Sequence, residues 1–200
     1  MISFDVDGLT PISYPALIST LDEDGSFTLS PVLPVLIFGL RATVDLEVSA
    51  KTTKNMIRTG ECVLNLPSDE CAAAVNRLAQ LAGTASDAQA GSKLWSSNFS
   101  LWRCQISKEF QAARLTPAPS EVVSVPRAQE CPVQLEAALT GRQRLNREKS
   151  EWGRHSLTIE MRILRVYLDS SAVLDNDTNR SGSDKWKPLM ARLQEAHHSW

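Results

Sequence analysis

The sequence predicts a mainly β protein, an antiparallel barrel or sandwich with helices packed outside it. Its strand-like segments come in runs, they are joined by short turns, and only a few helical segments separate them. The chain has 200 residues, of which 42% are hydrophobic, which is enough for one well-packed core. Because no internal repeat or linker divides the chain, we predict a single domain over residues 1–200.

The first elements are predicted to form a β-hairpin. Two strand-like segments, 15–21 and 27–30, flank the acidic turn Asp22–Ser26, in which Gly25 can adopt a positive φ. The apolar segment Val35–Leu40 is predicted to continue as a strand that is buried on both faces. The pattern of the residues that follow it does not distinguish strand from loop.

The middle of the chain predicts two helices around one strand. Thr52 or Thr53 is a candidate N-cap of a short helix that Gly60 ends. Glu61–Leu66 alternates as a strand, and a second helix is predicted over residues 68–83, with Ser68 as its cap. One face of this second helix carries Cys71, Val75, Leu78 and Ala82.

The second half is predicted to add a long hairpin and a terminal helix. Residues 84–130 contain prolines that break any periodicity, and they are predicted to be mostly loop. Two alternating segments, 133–139 and 157–163, predict half-buried strands, and Asp184–Ala196 predicts a final helix. Within the loop, an aromatic i, i+4, i+7 spacing fits either a helix lying over a ligand or ordinary core packing. These aromatic residues are Trp95, Phe99 and Trp102.

Charge and hydropathy argue against nucleic acid and membrane partners. The formal net charge is −2, so no strong positive field is available to bind a polyanion. The longest apolar run, Val32–Leu40, contains a proline and is far shorter than the ~20 residues that a spanning helix needs. The first ten residues carry Asp5 and Asp7 but no Lys or Arg, unlike a targeting segment. The sequence therefore predicts a soluble, cytoplasmic protein.

Several common chemistries are excluded by motif spacing. No two cysteines form a Cys-x-x-Cys pair and no histidine has zinc-finger spacing, so we predict neither a disulfide framework nor a metal site. The two closest glycines, Gly83 and Gly91, are too far apart for the Rossmann fingerprint, the phosphate-binding loop or the Gly-x-Ser-x-Gly elbow. If the protein is an enzyme, its cofactor is held by another scaffold.

The segment 49–58 is the strongest candidate binding site. Hydroxyl groups and two lysines crowd the predicted start of a helix, where free backbone N–H groups and the helix dipole favour an anion such as phosphate. These residues are Ser49, Lys51, Thr52, Thr53 and Lys54. The residues alone leave a second interpretation open, in which a threonine only caps the helix and the lysines are solvated.

His155 is a candidate catalytic residue because it opens a predicted strand at a hairpin rim. A partly exposed imidazole there could donate a proton or stack on a flat ligand. A structural role for this histidine fits the sequence as well.

Motifs along nearly the whole chain resemble the flavin reductase-like family of the FMN-binding split barrel. Each motif alone is weakly specific, but their order and spacing match together. They are Pro15–Gly25, Leu29-Ser30-Pro31, Thr52-x-x-Asn55, Gly60–Ser68, Leu115–Pro119, Cys131–Glu136 and Asn179–Leu189.

The resemblance implies a six-stranded antiparallel Greek-key split barrel with peripheral α-helices, in a flavoprotein that acts as a homodimer. It implies an oxidoreductase that binds FMN or FAD, takes hydride from NAD(P)H and acts on a small-molecule substrate. An open barrel would also leave apolar strand edges that a second copy could cover. Family members hold the flavin phosphate partly through the motif that falls on Thr52 and Asn55, and His155 aligns with a histidine beside the flavin. The resemblance and the anion-binding character of the predicted helix start together predict the cofactor contacts. These are Ser30, Pro31, Ser49, Lys51, Thr52, Thr53 and Asn55.

One departure from the family pattern bears on the cofactor. A loop that normally wraps the flavin after the Ser-Pro pair is shortened here, since Ser30-Pro31 runs directly into an apolar segment, and an extra stretch, Ala42–Val48, follows. Losing two or three hydrogen bonds to the flavin would weaken binding by several orders of magnitude. The alternative function is therefore a flavin-free relative that binds a small organic molecule and catalyses a non-redox step, an isomerisation or cyclisation; a pure binding role is a third.

Overall fold

The computed structural model describes residues 12–83, 109–144 and 156–169. Its strands are β1 (Ile12–Leu21), β2 (Phe27–Phe38), β3 (Arg41–Glu47), β4 (Glu61–Leu66), β5 (Pro117–Ala118), β6 (Arg127–Ala128), β7 (Val133–Arg144) and β8 (Ser156–Leu168). Its helices are α1 (Lys51–Thr59), α2 (Ala72–Gly83) and α3 (Glu109–Ala113), with a 3₁₀ turn over Asp69–Cys71. None of the helices in these ranges is long and apolar enough to span a membrane.

Six of the strands close into a barrel in the order β1-β2-β3-β8-β7-β4. Each neighbouring pair is antiparallel, and β4 returns to pair with β1 after β3, which gives a Greek-key connection. The predicted mainly β, six-stranded antiparallel barrel is therefore confirmed.

Because the barrel is closed, the described strands leave no barrel edge for a second copy to cover. The homodimer stays a prediction, which sedimentation at micromolar concentration would test.

The first hairpin forms where it is predicted. The Asp22 N–H donates to the Ser26 carbonyl at 2.8 Å, and Gly25 adopts φ 82°. Asp24 accepts bonds from the Ser26 hydroxyl and N–H, at 2.6 and 2.9 Å, and these two bonds lower the pKa of the exposed Asp24 carboxyl. The local turn chemistry was thus sufficient to predict this element.

The next segment continues as a strand, as predicted, since β2 runs without interruption from Phe27 to Phe38, but the prediction that it is buried on both faces is wrong. In its second half Val35 and Ile37 face the core whereas Phe38 is exposed, so one face only is buried. The ambiguous stretch that follows forms β3, which pairs with β2 on one side and β8 on the other.

The short helix α1 ends as predicted but begins differently. Gly60 adopts φ 74° and donates its N–H to the Met56 carbonyl at 2.9 Å, which is the expected glycine C-cap. The N-cap is Ala50, and no side chain caps the helix. The prediction that Thr52 or Thr53 is the cap is therefore wrong, since both lie inside α1.

Of the three apolar clusters in the described residues, the two largest lie on opposite faces of the sheet. The barrel interior is filled by alternate residues of its strands, among them Ile18, Leu64 and Leu135. A second cluster lies outside the barrel, where α2 and α3 cover Leu17 and Leu29. The strand β4 is buried along nearly all of its length, although its pattern predicts simple alternation. The reason is that its outward-facing Val63 packs with Val123 and Val125 in a third cluster, while alternate residues belong to the barrel interior. Three of the four residues predicted for one face of the second helix, Cys71, Val75 and Leu78, belong to this outer cluster, and the side chain of Ala82 lies outside the described part of the chain.

The outer face of β7 carries a buried carboxylate. Glu136 is fully buried and accepts the backbone N–H groups of Glu121, Val122 and Val123 at 2.9, 2.7 and 3.2 Å. Burial by itself raises the pKa of Glu136, but the nearby Tyr167 hydroxyl and the hydrogen bonds from these three N–H groups outweigh it and lower the pKa. The loop 121–123 is thereby fixed to the barrel wall.

Candidate functional site

The start of α1 is a helix N-terminus with unused backbone donors. The first bond within the helix runs from the Lys54 N–H to the Ala50 carbonyl at 3.1 Å. The N–H groups of residues 51–53 therefore have no acceptor inside the helix, and no side chain of the described residues caps them. This geometry, together with the positive end of the helix dipole, favours an anionic ligand.

Ser30 and Thr52 meet at this helix start. The Thr52 hydroxyl donates to the Ser30 Oγ at 2.7 Å, across 22 residues of sequence. Thr52 is buried and Ser30 half-buried. Because Ser30 is the acceptor in this bond, its own O–H can donate to a ligand oxygen. The structure thus brings together two of the residues predicted as cofactor contacts.

Lys51 is held by a carboxylate that the sequence reasoning missed. Its ammonium forms an ion pair with Asp22, whose side chain is 4% exposed, whereas that of Lys51 is 36% exposed. Asp22 stands in the turn that the sequence identifies as acidic, but no local pattern relates it to Lys51. The consequence is electrostatic: a large part of the positive charge at the helix start is already compensated.

Asn55 connects the same helix to the first hairpin. Its amide nitrogen donates to Asp22 Oδ1 at 2.7 Å and to Thr20 Oγ1 at 3.1 Å. Thr20 in turn shares a 2.6 Å hydroxyl bond with Thr28, and all four side chains are buried. Both amide hydrogens of Asn55 are thus used within the protein. The contact of Asn55 with a flavin phosphate stays a prediction.

The remaining predicted contacts lie around the connection from β3 to α1. The Thr53 hydroxyl donates to the Glu47 carbonyl at 2.6 Å, and the Ser49 hydroxyl donates to the Glu47 side chain. Pro31 is part of β2, where it pairs with Leu17. The strand passes straight through Ser30-Pro31, so no loop is inserted at this point.

His155 lies outside the described residues, as do Trp95, Phe99 and Trp102. The residue that follows it, Ser156, begins β8 and pairs with Glu47, close in sequence to the start of α1. Within the described ranges, no group of three or more His, Cys, Asp or Glu side chains could hold a metal ion. The arrangement around α1 can therefore bind a phosphate-like group through N–H groups, hydroxyls and one lysine.

Sequence comparison assigns most of the chain to one family model. Residues 15–182 match the model described as a flavin reductase like domain. The chain is also 29% identical over 174 residues to the uncharacterized protein YdfE of Bacillus subtilis (strain 168), which covers 87% of this chain and 77% of that protein.

Structural comparison finds the same barrel in redox proteins. Nitrilotriacetate monooxygenase component B from Bacillus cereus superposes with a TM-score of 0.63 at 21% identity, over 94% of this chain and 89% of that one. The 2-nitrobenzoate 2-nitroreductase NbaA of Pseudomonas fluorescens superposes with a TM-score of 0.61 at 18% identity, over 88% and 74%. At these identities the similarity establishes a common fold.

Proposed function

Because the chain belongs to the flavin reductase-like family, we propose that it binds FMN or FAD at the start of α1 and uses NAD(P)H to reduce it. The observation that carries this proposal is the uncapped helix start beside Lys51 and the Ser30–Thr52 pair. The family shares the fold and the class of cofactor, and the structural neighbours include a nitroreductase and a monooxygenase component.

The residues present fit the phosphate of a flavin. The N–H groups of residues 51–53 and the Ser30 hydroxyl would donate to its oxygens, and Lys51 would supply positive charge. A bound flavin would supply the ring that accepts a hydride from the nicotinamide of NAD(P)H. The protein's part is to hold the two rings close and parallel, because preorganised placement contributes more to hydride transfer than tight binding does.

Two features support loose binding of the flavin, as a substrate that is released. The uninterrupted β2 brings no wrapping loop to the site, and the charge of Lys51 is partly compensated by Asp22. A flavin with fewer and weaker contacts dissociates more readily.

The first prediction concerns activity. Wild-type protein is expected to oxidise NADH or NADPH in the presence of excess FMN or FAD, and His155→Ala is expected to lower the rate because the imidazole would hold the nicotinamide or donate a proton. Steady-state absorbance measures the turnover, and His197→Ala serves as the matched control. If His155→Ala leaves the turnover unchanged, the proposed reductase activity stands and His155 has no part in its mechanism. No turnover above the uncatalysed rate, with no flavin binding by calorimetry, would favour the flavin-free non-redox alternative.

The second prediction concerns the ion pair. Asp22→Asn is expected to raise the affinity for FMN about fivefold, because a carboxylate next to the phosphate site is removed and the charge of Lys51 is released. Affinity for riboflavin, which lacks the phosphate, should change little. Fluorescence titration of both ligands measures this ratio, with Glu23→Gln, an exposed neighbour in the same turn, as the control. An unchanged FMN-to-riboflavin ratio in Asp22→Asn would contradict the proposed position of the phosphate.

A further inference from the structure

In the described part of the chain, the outer face of β3 and β8 has no apolar cover. Alternate residues of both strands fill the barrel interior, so the residues between them point outward. The helices α2 and α3 cover β1 and the first half of β2, and the loop 121–125 covers β4 and β7. The two apolar clusters outside the barrel contain no residue of β3 or β8.

Exposed hydrophobic side chains gather at one end of this face. Phe38 ends β2, pairs with Arg41 and is 50% exposed. Leu40, in the turn between β2 and β3, is 61% exposed, and Leu164, in the second half of β8, is 41% exposed. The Ile163 N–H donates to the Leu40 carbonyl at 2.8 Å, so the turn and this part of β8 meet. An exposed apolar patch of this kind is typical of a protein–protein contact.

Two arginines stand directly opposite each other at the same end. Arg41 of β3 pairs with Arg162 of β8, and paired residues of antiparallel strands have Cα atoms only about 5 Å apart. Both side chains are exposed, and the ion pairs within the described ranges use Lys51 and Arg165 instead. Like charges that face each other across a sheet are destabilising. A carboxylate supplied from outside the chain would offset this repulsion.

The opposite end of the face is acidic. Glu160 lies opposite Thr43, and Asp45 and Glu47 follow on the outward side of β3. Within the described ranges, none of these three carboxylates belongs to an ion pair. The face therefore runs from a basic, apolar end to an acidic end. If a second copy is turned end to end by a two-fold axis, the basic end of each copy meets the acidic end of the other.

We propose that two copies of this chain associate through the outer faces of β3 and β8, in a two-fold dimer with the two β3 strands antiparallel. Arg41 of each copy faces Glu47 of the other, and the apolar side chains around Phe38 are removed from water. The contact uses a sheet face, since the closed barrel offers no edge. Aromatic residues and arginine are enriched in protein interfaces, which fits this composition. Because β3 leads directly into α1, each copy places Arg41 beside the start of the other copy's α1.

The test is sedimentation of the full chain without flavin, so its outcome does not depend on the proposed function. Wild-type protein is expected to sediment with twice the mass of one chain at micromolar concentration. Arg41→Glu is expected to raise the dissociation constant of the dimer by about tenfold or more, because it sets like charges against Glu47 in both halves of the contact. Arg114→Glu is the matched control, since Arg114 is an exposed arginine after α3, away from this face. It should leave the dissociation constant unchanged.

The same variant separates association from folding. Within one chain, Arg41→Glu replaces a like-charge pair with an opposite-charge pair across from Arg162, so the melting temperature of the dilute protein should not fall. The double variant Arg41→Glu/Glu47→Arg should restore the dimer, because each contact again joins opposite charges. Phe38→Ser should weaken the dimer as well. Its control is Val122→Ser, an exposed apolar residue of the loop 121–125.

Three results would overturn the proposal. Wild-type protein that sediments as one chain at micromolar concentration would leave this face to a different partner. A dimer with the same dissociation constant in wild type, Arg41→Glu and Phe38→Ser would place the contact on another face. A double variant that associates no better than Arg41→Glu would contradict the antiparallel alignment that sets Arg41 against Glu47.

Discussion

Asn55→Ala is expected to lower the free energy of unfolding by about 3 kcal/mol, because it removes two buried hydrogen bonds, one of them to a carboxylate. The amide of Asn55 donates to Asp22 and Thr20, and Asp22 is buried. Without the amide, the carboxylate would keep Lys51 as its partner but lose a charge-assisted bond that water cannot easily replace. Urea unfolding followed by circular dichroism measures the change.

Lys54→Ala is the matched control for this prediction, because Lys54 lies on the same helix with an exposed side chain. Its effect should remain within about 0.5 kcal/mol. If Asn55→Ala proves no more destabilising than Lys54→Ala, the buried network does not hold α1 to the hairpin. A test of ligand binding should therefore use Thr52→Ala by itself, since its loss of affinity for FMN would not be confounded by a loosened helix.

Glu136→Ala is expected to cost about 3 kcal/mol of stability, since three backbone N–H groups lose their acceptor. Those groups belong to Glu121, Val122 and Val123, and they bind a carboxylate that is fully buried. Glu130→Ala is the control, because within the described ranges the exposed Glu130 carboxylate accepts only the N–H of Thr116, at 2.9 Å. Equal thermal stability of the two variants would contradict the anchoring role of Glu136.

The same carboxylate predicts sensitivity to acid. Its folded-state pKa lies below the ordinary value of 4.5, so its contribution to stability is complete above about pH 4.5 and is lost as the pH falls through the lowered pKa. Glu136→Gln carries no titrating group, so its unfolding free energy should depend less on pH in that range. Parallel pH dependences for wild type and Glu136→Gln would show that other groups cause the acid response.

The hairpin and the end of α1 could be predicted because their signals are local. The acidic turn with Gly25 predicts the reversal between β1 and β2, and Gly60 predicts the helix end, since each requires a backbone conformation that glycine adopts most easily. The alternation of 133–139 and 157–163 similarly predicts β7 and β8. The family followed from motifs in a fixed order, which the family model over residues 15–182 confirms.

Which side chains meet was decided by the closing of the barrel. The pairing of β1 with both β2 and β4 brings the first hairpin against α1, so that Asp22 reaches Lys51 and Asn55. In the sequence, Asp22 is one of three acidic residues in a turn, and nothing distinguishes the one that becomes buried. The environment of a charge depends on elements far away in sequence, and a local pattern carries no information about them. For the same reason, the sequence predicts an anion site at the helix start, but only the tertiary structure shows that Asp22 compensates part of the positive charge there.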